Sequence, residues 1–491
     1  MIVFYNPVSS AGRKPVIPLA LAQLAANIVD LDWSLVDGNI EDESVASIVA
    51  MLRDTSHPIL AVTLMPGPQL SDAFAVTKQV RATVPGLIVV WGGYFPTQHA
   101  ELVARSPLVD FVFKGHGEAG FPTLVDGIRQ GVGAAELSKI EGVTFVGEDG
   151  LLLGGQTASV PDPKILPELP WSRINVNAYA RKTTLGNRTI GYHSSYGCPF
   201  FCNFCAVVTM DSGRWRAQSA ERVAAVAERY SREYSADAIE FYDNNFFVSE
   251  GRVREFAERI TPLGMSWWGE GRIDRLMAYS DDTWATMARS GLKMVFLGAE
   301  SSSTETLERM QKGGSVTPEM TLELAQRASA YGVIPEFSFV MGVPPDPASD
   351  VEAGIQFIRR VKKVNPSSEI IMYLYSPEPV EGELLEAAKG KGFRFPDTLE
   401  GWMDPEWERV VQRRNSGYQI PRLALQRLRG FERVLNAYYP TSTDKNLTGL
   451  RKSILFGTSF WRYKTEHYRW AVELGALQKW FKYQRPETSG F

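Results

Sequence analysis

Short apolar stretches alternate with longer amphipathic ones along the first 130 residues. The apolar stretches are as long as strands and rich in β-branched and aromatic residues, whereas the amphipathic ones have helical spacing. We predict strands at 2–5, 33–37, 59–64, 87–91 and 111–114, with helices at 18–28 and 70–84 among the elements between them. Alternating strands and helices indicate a parallel sheet covered on both faces, so residues 1–130 are predicted to form a doubly wound α/β domain.

Residues 131–186 have the pattern of a connector. Two short apolar runs at 143–146 and 151–153 flank Gly147-Glu148-Asp149-Gly150, which predicts a β-hairpin. The segment 160–170 is rich in proline and therefore extended. We expect it to pass over the surface between two domains.

Residues 187–385 repeat a strand followed by a helix. Strands are predicted at 190–196, 238–242, 265–268, 294–297, 334–340 and 369–375. Helices are predicted at 219–234, 252–260, 281–290, 304–310, 318–331 and 348–362. Six strands are fewer than the eight of a closed barrel, so the pattern predicts a partial (β/α)6 barrel. Side chains at the carboxyl ends of its strands are the candidates for an active site.

Residues 386–491 are predicted to form a helical domain, with a loop-rich segment at 393–407 and helices at 422–438 and about 447–481. The last 41 residues contain Trp461, Trp470 and Trp480, and eight Lys or Arg against three Glu. We interpret these helices as a cap on the barrel, whose basic side chains extend along apolar surface to reach water. The alternative is a peripheral membrane contact, because a basic helix rich in aromatic residues can lie on a bilayer.

Composition excludes several classes of protein. Apolar residues make up 44% and charged residues 22% of the chain, as in ordinary globular proteins. The net charge of −4 gives no reason to expect a nucleic-acid partner. The start of the chain resembles a first strand more than a signal peptide, and no uncharged apolar run reaches about 18 residues. With only three cysteines in 491 residues, we expect a cytoplasmic protein.

All three cysteines lie within eight residues, as Cys198-x3-Cys202-x2-Cys205. Thiols this close together can converge on one metal centre. Structural zinc sites and iron–sulfur clusters usually take four protein ligands, and the chain has no fourth cysteine. The spacing therefore leaves open a three-cysteine iron–sulfur cluster with one open iron, a zinc site, or three buried apolar residues.

This segment resembles the signature of the radical S-adenosylmethionine enzymes, Cys-x3-Cys-x-aromatic-Cys, with Phe204 at the aromatic position. The resemblance implies a [4Fe–4S] cluster on the three cysteines, whose fourth iron binds the amino and carboxylate groups of S-adenosylmethionine. It implies that one electron cleaves this cofactor to methionine and a 5′-deoxyadenosyl radical. An electron donor such as flavodoxin or ferredoxin is implied as well.

The same resemblance implies roles for polar residues at the predicted strand ends. Asp243 and Asn245 follow the second barrel strand, where family members contact the methionine moiety of the cofactor. Arg272 follows the third strand and could pair with the cofactor carboxylate. Glu300 follows the fourth, at the position that accepts hydrogen bonds from the ribose. Each could instead be a solvated strand end or a helix cap.

The N-terminal domain resembles the cobalamin-binding domain of one branch of these enzymes. The residues that carry the resemblance, and are implied to bind cobalamin, are Thr63, Gly92, Gly93, Tyr94, Gly115, Gly117 and Glu118. The Asp-x-His-x-x-Gly motif is absent, which implies cobalamin bound without a protein histidine ligand. A Gly-x-Gly-x-x-Gly match at 115–120 follows the fifth strand rather than the first, so we discount it as a dinucleotide site.

These resemblances together predict a cobalamin-dependent radical S-adenosylmethionine enzyme, similar to the hopanoid methylases and the anaerobic Mg-protoporphyrin monomethyl ester cyclase. The first choice is a methyltransferase that acts on an unactivated carbon through the 5′-deoxyadenosyl radical. A non-methylating oxidative cyclase or oxidase is the first alternative, and a non-catalytic cobalamin-binding sensor is the second. The substrate is expected to be a lipid, tetrapyrrole or natural-product intermediate, and no catalytic side chain can be singled out.

Overall fold

A computed structural model of the chain describes residues 1–9, 15–29, 31–312, 316–412, 415, 420–441, 447 and 449–481. Its N-terminal sheet has, within these residues, seven strands. They are β1 (Ile2–Asn6), β2 (Trp33–Asp37), β3 (Ile59–Thr63), β4 (Ile88–Gly92), β5 (Phe111–Phe113), β6 (Val143–Val146) and β7 (Leu152–Gly154). The spatial order is β2-β1-β3-β4-β5-β6-β7, and the first five strands are parallel.

Helices cover both faces of the parallel strands. They are α1 (Leu19–Ala26), α2 (Ser44–Leu52), α3 (Pro68–Thr83), α4 (Tyr94–Gln98), α5 (Ala100–Ala104), α6 (Gly120–Arg129) and α7 (Ala134–Leu137). Successive side chains of a strand point to opposite faces. In β1, Val3 and Tyr5 therefore enter one apolar core, and Ile2 and Phe4 enter the other. The predicted doubly wound sheet is confirmed.

The predicted hairpin forms, but it belongs to the N-terminal sheet and not to a separate connector. Strands β6 and β7 pair antiparallel, and β6 also pairs antiparallel with β5. The sheet therefore continues beyond residue 130, and a boundary at that position would cut through it. Val143 and Phe145 are buried in the same core as Phe113, which explains why the hairpin joins the sheet.

A second sheet of six parallel strands is found within the described residues. Its strands are β8 (Thr189–Tyr192), β11 (Ala238–Phe241), β12 (Ser266–Gly271), β13 (Leu292–Glu300), β14 (Ile334–Met341) and β15 (Glu369–Leu374). They are arranged in chain order, and β8 and β15 form the two open edges. The predicted six-stranded partial barrel is confirmed.

The predicted strand 190–196 is two strands. Strand β8 ends at Tyr192, and β9 (Ser195–Gly197) leaves the barrel to pair antiparallel with β10 (Trp215–Ala217). The helices of this region are α8 (Val207–Asp211), α9 (Ala220–Tyr234), α10 (Glu250–Ile260), α11 (Ile273–Ala278), α12 (Asp281–Arg289), α13 (Thr304–Arg309), α14 (Pro318–Ala330) and α15 (Pro347–Val364).

The C-terminal region is helical. Its helices are α16 (Glu383–Gly390), α17 (Leu399–Trp402), α18 (Pro405–Val411), α19 (Arg422–Tyr438), α20 (Gly449–Thr465) and α21 (Val472–Phe481). The single predicted helix over 447–481 was wrong: it is broken between α20 and α21, where Glu466 and Trp470 take positive φ angles of 57° and 55°. Helix α19 covers the barrel, because Phe431 and Leu435 share a core with Ile358 of α15.

The segment that contains α17 and α18 packs back onto the N-terminal sheet. Leu399 and Trp402 belong to the same core as Phe95 of α4. The Trp402 ring lies 4.4 Å from the His99 ring and 5.1 Å from the Phe95 ring, measured between centroids. Burial lowers the pKa of His99 to about 4, so this imidazole is an uncharged part of the core. Among the described residues, no helix is both long and apolar enough to cross a bilayer.

Candidate functional site

The cysteine loop begins where β9 ends and returns through α8 to β10. Gly197 precedes Cys198 and takes a φ of +73°, and a β-carbon there would collide with the Arg214 carbonyl of the returning chain. A turn closes the loop, with the Cys205 amide donating to the Cys202 carbonyl at 3.1 Å. The paired strands therefore hold all three sulfurs at the carboxyl end of the barrel, where partial and closed barrels carry their active sites.

Two donors point at the sulfurs. The Arg272 guanidinium lies 3.5 Å from Cys202 Sγ, and the Asn245 amide nitrogen lies 3.9 Å from Cys198 Sγ. Burial, together with the neighbouring Cys202 and Cys198 thiols, raises the pKa of Cys205 to about 12. Burial also raises the pKa of Cys198. Metal binding would therefore have to displace protons from these thiols.

The three cysteines could serve as the protein ligands of a cluster. Within the described parts of the chain, no three His, Cys, Asp or Glu side chains are grouped so that they could hold one metal ion. In a [4Fe–4S] cube each cysteine binds a different iron, so its ligands do not converge on one point. The three free thiols interact with one another electrostatically. In iron–sulfur clusters, hydrogen bonds to the sulfur atoms help to set the reduction potential.

Arg272 is bound on several sides. Its Nε and Nη2 donate to the Asp274 carboxylate at 3.0 and 3.2 Å, and Nη2 also donates to the Lys312 carbonyl. The guanidinium carbon lies 3.6 Å from the centroid of the Phe200 ring, inside the cysteine loop. Pairing with a cofactor carboxylate stays a prediction. In this structure the side chain of Arg272 braces the cysteine loop.

Glu300 ends β13 in an unusual conformation. It takes a φ of +61°, at a point where the pairing with β14 shifts register. Its carboxylate accepts a hydrogen bond from Lys312 Nζ at 2.5 Å, and both side chains are buried. Lys312 Nζ also lies 5.8 Å from the Phe204 ring centroid. The expected contact with a ribose stays a prediction. In this structure the Glu300 carboxylate is hydrogen-bonded to Lys312.

Asp243 and Asn245 follow β11. The fully buried Asp243 carboxylate accepts from the Ser194 amide at 3.0 Å, from the Ser194 hydroxyl at 2.7 Å and from the Ser195 hydroxyl. Asp243 thus fixes the bend between β8 and β9. Among the described residues, the buried Asn245 Oδ1 has no hydrogen-bond partner, so it can accept a hydrogen bond from a ligand.

The carboxyl edge of the N-terminal sheet faces the cysteine loop. Gly93 takes a φ of +92°, and a β-carbon there would lie 2.6 Å from Thr63 Oγ1, while Gly92 lies on β4 beside Phe113. The next residue, Tyr94, donates its hydroxyl to Glu378 Oε2 at 3.2 Å. Burial raises the pKa of Tyr94, and Glu378 and Cys205 add to this effect. Tyr94 therefore lies within electrostatic range of the cluster site.

The other predicted cobalamin residues lie in the turn after β5. The Gly115 amide donates to Thr97 Oγ1 at 2.9 Å, and a β-carbon on Gly117 would lie 2.8 Å from a Leu24 methyl. Close packing thus accounts for both glycines. Glu118 is buried, and within the described chain its Oε2 atom has no hydrogen-bond partner.

His116, which carries no motif in the sequence, joins the two domains. His116 Nε2 lies 2.6 Å from Asp211 Oδ1 on α8, and its ring meets the Tyr196 ring edge-on at 5.1 Å. Burial alone would lower the pKa of His116, but the hydrogen bond and the charges of Asp211 and Glu118 raise it overall. Gln98 makes a second contact between the same two domains, because its amide donates to Thr209 Oγ1 of α8 at 3.1 Å.

These partners had little signal in the sequence. Asp274 lies two residues after Arg272, and a nearby opposite charge could have suggested the pair. Lys312, Asp211, Thr209 and Glu378 carry no motif, because only the folded chain brings them to the site.

Two segments of the chain match known domain families. Residues 192–358 match the radical SAM superfamily and include all three cysteines. Residues 11–125 match the B12 binding domain and include Thr63, Gly93 and Glu118.

Three relatives have named activities or classes. An uncharacterized methyltransferase of Pyrococcus horikoshii is 29% identical over 70% of this chain and 73% of its own. An anaerobic magnesium-protoporphyrin IX monomethyl ester cyclase of Synechocystis sp. is 25% identical over 50% of this chain and 48% of its own. The hopanoid C-3 methylase of Methylococcus capsulatus is 23% identical over 60% of this chain and 55% of its own. The chain thus spans only about half the length of the last two relatives.

A solved structure shares the fold. The apo form of OxsB, a cobalamin-dependent S-adenosylmethionine radical enzyme, superposes with a TM-score of 0.68 at 13% identity, over 97% of this chain and 72% of that one. A radical SAM domain implies a [4Fe–4S] cluster and S-adenosylmethionine, and a B12 binding domain implies cobalamin, so the three predicted cofactors are confirmed. The chain therefore contains a radical SAM domain at 192–358, and a B12 binding domain at 11–125 precedes it.

Proposed function

We propose that the protein is a cobalamin-dependent radical S-adenosylmethionine methyltransferase that acts on an unactivated carbon of a small molecule. The observation that carries the proposal is the direct contact between the two cofactor domains. His116 and Gln98 extend from the edge of the N-terminal sheet to Asp211 and Thr209 beside the cysteine loop. A methyl carrier and a radical source must both reach the same substrate. Their two domains therefore have to lie side by side, and the contact supports this.

The chain's own residues would bind and orient the cofactors. Cys198, Cys202 and Cys205 would hold the cluster, while Arg272 and Asn245 donate to two of the sulfurs. When bound, the cluster and S-adenosylmethionine supply one-electron hydrogen abstraction, and cobalamin supplies the methyl group.

Other groups are placed to receive the cofactors. The Glu300 carboxylate is held by Lys312 and could turn to a ribose hydroxyl. Thr63 and the glycines at 92–93 line the edge of the N-terminal sheet, the part of an open α/β sheet where ligands bind.

The proposal includes partners that fit this chemistry. A lipid, tetrapyrrole or natural-product intermediate is the proposed substrate, and the lipid and tetrapyrrole classes agree with the named hopanoid and protoporphyrin relatives. We propose flavodoxin or ferredoxin as the electron donor, and a cytoplasmic location because three free thiols suit a reducing compartment. Peripheral contact with a membrane surface would bring the protein to a lipid substrate.

Anaerobic reconstitution with iron, sulfide and hydroxocobalamin tests the proposal. We expect about four irons per chain and a bound corrinoid spectrum. With S-adenosylmethionine and a low-potential reductant, we expect both 5′-deoxyadenosine and S-adenosylhomocysteine. Cys198→Ala should lose iron and 5′-deoxyadenosine, whereas Phe201→Leu alters an exposed side chain of the same loop and should keep both. A protein that takes up iron but no corrinoid would contradict the proposal.

The same measurement separates the alternatives. The cyclase relative favours a non-methylating oxidative cyclase or oxidase as the second candidate. That activity would give 5′-deoxyadenosine without S-adenosylhomocysteine, since no methyl group leaves the cofactor. A non-catalytic cobalamin sensor would bind corrinoid and contain no iron.

A further inference from the structure

Helices α20 and α21 form an antiparallel pair that packs against α19. The ion pair between Arg462 and Glu473, at 2.5 Å, joins the end of α20 to the start of α21. At the other end, the Arg451 guanidinium lies 5.5 Å from the Phe481 ring centroid. The pair buries Leu455 on one side, and its opposite side faces away from the core.

That opposite side exposes large apolar side chains, which we call the aromatic face. Its most exposed members are Trp470 (84%), Trp480 (75%), Leu450 (74%) and Val472 (71%). Ile454 and Trp461 add partly exposed surface, at 39% and 49%. Phe456 and Phe460 lie at the edge of this face, because both rings also contact the Tyr438 ring of α19. Single exposed apolar residues are ordinary, but a set gathered on two adjoining helices and the segment that connects them marks an interaction surface.

Around the aromatic face, the acidic side chains are paired with arginines and the exposed charges are positive. Both acidic residues within 449–481 are bound by arginines: Glu473 of α21 by Arg462, and Glu466 of the connecting segment by Arg359 at 3.5 Å. Lys464, Arg469 and Lys479 are exposed, so the outer surface presents positive charge beside tryptophan. Lys464 Nζ lies 5.8 Å from the Phe460 ring, close enough to cover the ring while its charge stays in water.

We propose that the aromatic face binds the surface of an anionic lipid bilayer, with α20 and α21 lying in the interfacial region. Indole rings favour the headgroup boundary, and lysine and arginine are attracted to anionic headgroups. Binding to lipid through α20 and α21 needs neither cluster nor cobalamin, so it is independent of methyl transfer.

Flotation of the full chain with vesicles tests this proposal. We expect the protein to float with phosphatidylcholine vesicles that contain phosphatidylglycerol, and to stay at the bottom with phosphatidylcholine alone. Raising the ionic strength should weaken the binding, because salt screens the charges. A wild-type chain that does not float with anionic vesicles overturns the proposal, whatever its methyltransferase activity.

Variants locate the surface. Trp470→Ser with Trp480→Ser should weaken binding at least about fivefold by removing two interfacial anchors. Lys464→Gln, Arg469→Gln and Lys479→Gln together should weaken it at least about tenfold. Ile165→Ser changes a side chain that is 82% exposed in the connector, and should bind like the wild type. Unchanged binding in the tryptophan variant, or a dimer broken by that variant without any vesicle binding, overturns the proposal.

Discussion

At the scale of single residues, Arg272 shows how much one side chain does at this site. Its guanidinium is bound by the Asp274 carboxylate, the Lys312 carbonyl, the Cys202 sulfur and the Phe200 ring. A planar group with donors on all sides suits this role, and a lysine could not replace it.

We expect Arg272→Ala to lower the free energy of unfolding by about 3–5 kcal/mol, because it leaves the Asp274 carboxylate buried and unpaired. Chemical denaturation followed by tryptophan fluorescence would measure this. The control Arg105→Ala removes an exposed ion pair to Glu101 and should change stability by less than about 0.5 kcal/mol. Adding Asp274→Ala to Arg272→Ala should recover part of the loss, and a further loss would contradict our explanation.

Glu336 gives a prediction about pH. Burial raises the pKa of Glu336 from 4.5 to about 8, with a hydrogen bond from Trp268 opposing the shift and the charges of Glu369 and Glu240 adding to it. Folding therefore takes up a proton, so the group's contribution to stability is complete below pH 4.5 and is lost as the pH rises through about 8. We expect wild-type stability to fall between about pH 4.5 and about pH 8, and Glu336→Gln to reduce this fall.

Denaturation at several pH values would measure that slope. Glu323→Gln, on the exposed side of α14, should keep the wild-type slope. Glu270, which is half-buried, also has a pKa raised to about 8, so part of the slope should remain in Glu336→Gln. Identical slopes in wild type and Glu336→Gln would contradict the prediction.

At the scale of elements, the pair of β9 and β10 holds the cysteine loop. Gly197 is the residue that permits it, because its positive φ and the nearby Arg214 carbonyl leave no room for a β-carbon. The apolar pattern predicted one continuous strand here, since the partner of β9 lies beyond the whole cysteine loop and long-range pairing has no local signal.

Gly197→Ala should therefore destabilise the chain by at least about 1–3 kcal/mol through backbone strain and collision. It should also lower the iron content after reconstitution, which iron analysis would measure. Gly251→Ala is the control: it lies in α10 with open space around the new β-carbon, and should stabilise by up to about 1 kcal/mol. Normal iron uptake in Gly197→Ala would contradict the role given to this turn.

The other elements show why prediction succeeded where it did. Strands β1, β3 and β4 are buried on both faces and read as continuous apolar runs, so their sequence reveals them. The cysteine spacing likewise predicted the loop around which the candidate site is built. The left-handed conformation of Glu300 and its pairing with Lys312 depend on how β13 meets its neighbours, and no local pattern encodes that.

At the scale of the whole molecule, His116 ties the two cofactor domains together. Its contacts with Tyr196 and Asp211 lie on either side of the cysteine loop in sequence, so one residue of the N-terminal domain fixes both flanks. This contact fixes the N-terminal domain against the cysteine loop.

His116→Phe should keep the ring contact with Tyr196 but leave the Asp211 carboxylate buried without its partner. We expect a loss of about 1–3 kcal/mol in stability, and faster hydrogen exchange in α8, which mass spectrometry would detect. Because the pKa of His116 is raised, its contribution should also weaken as the pH rises through that raised value. His57→Phe, at an exposed position, should leave exchange in α8 unchanged.

The return of Leu399 and Trp402 to the N-terminal sheet has a consequence for biosynthesis. The core around Phe95 and His99 is completed only by residues made after the entire barrel. When a nascent chain has been made through β7, more than two hundred further residues must be synthesised before Leu399 appears. The apolar surface around Phe95 is exposed to solvent during this time. Newly made N-terminal domains would need shielding by chaperones during this interval, and a fragment ending before Leu399 should aggregate.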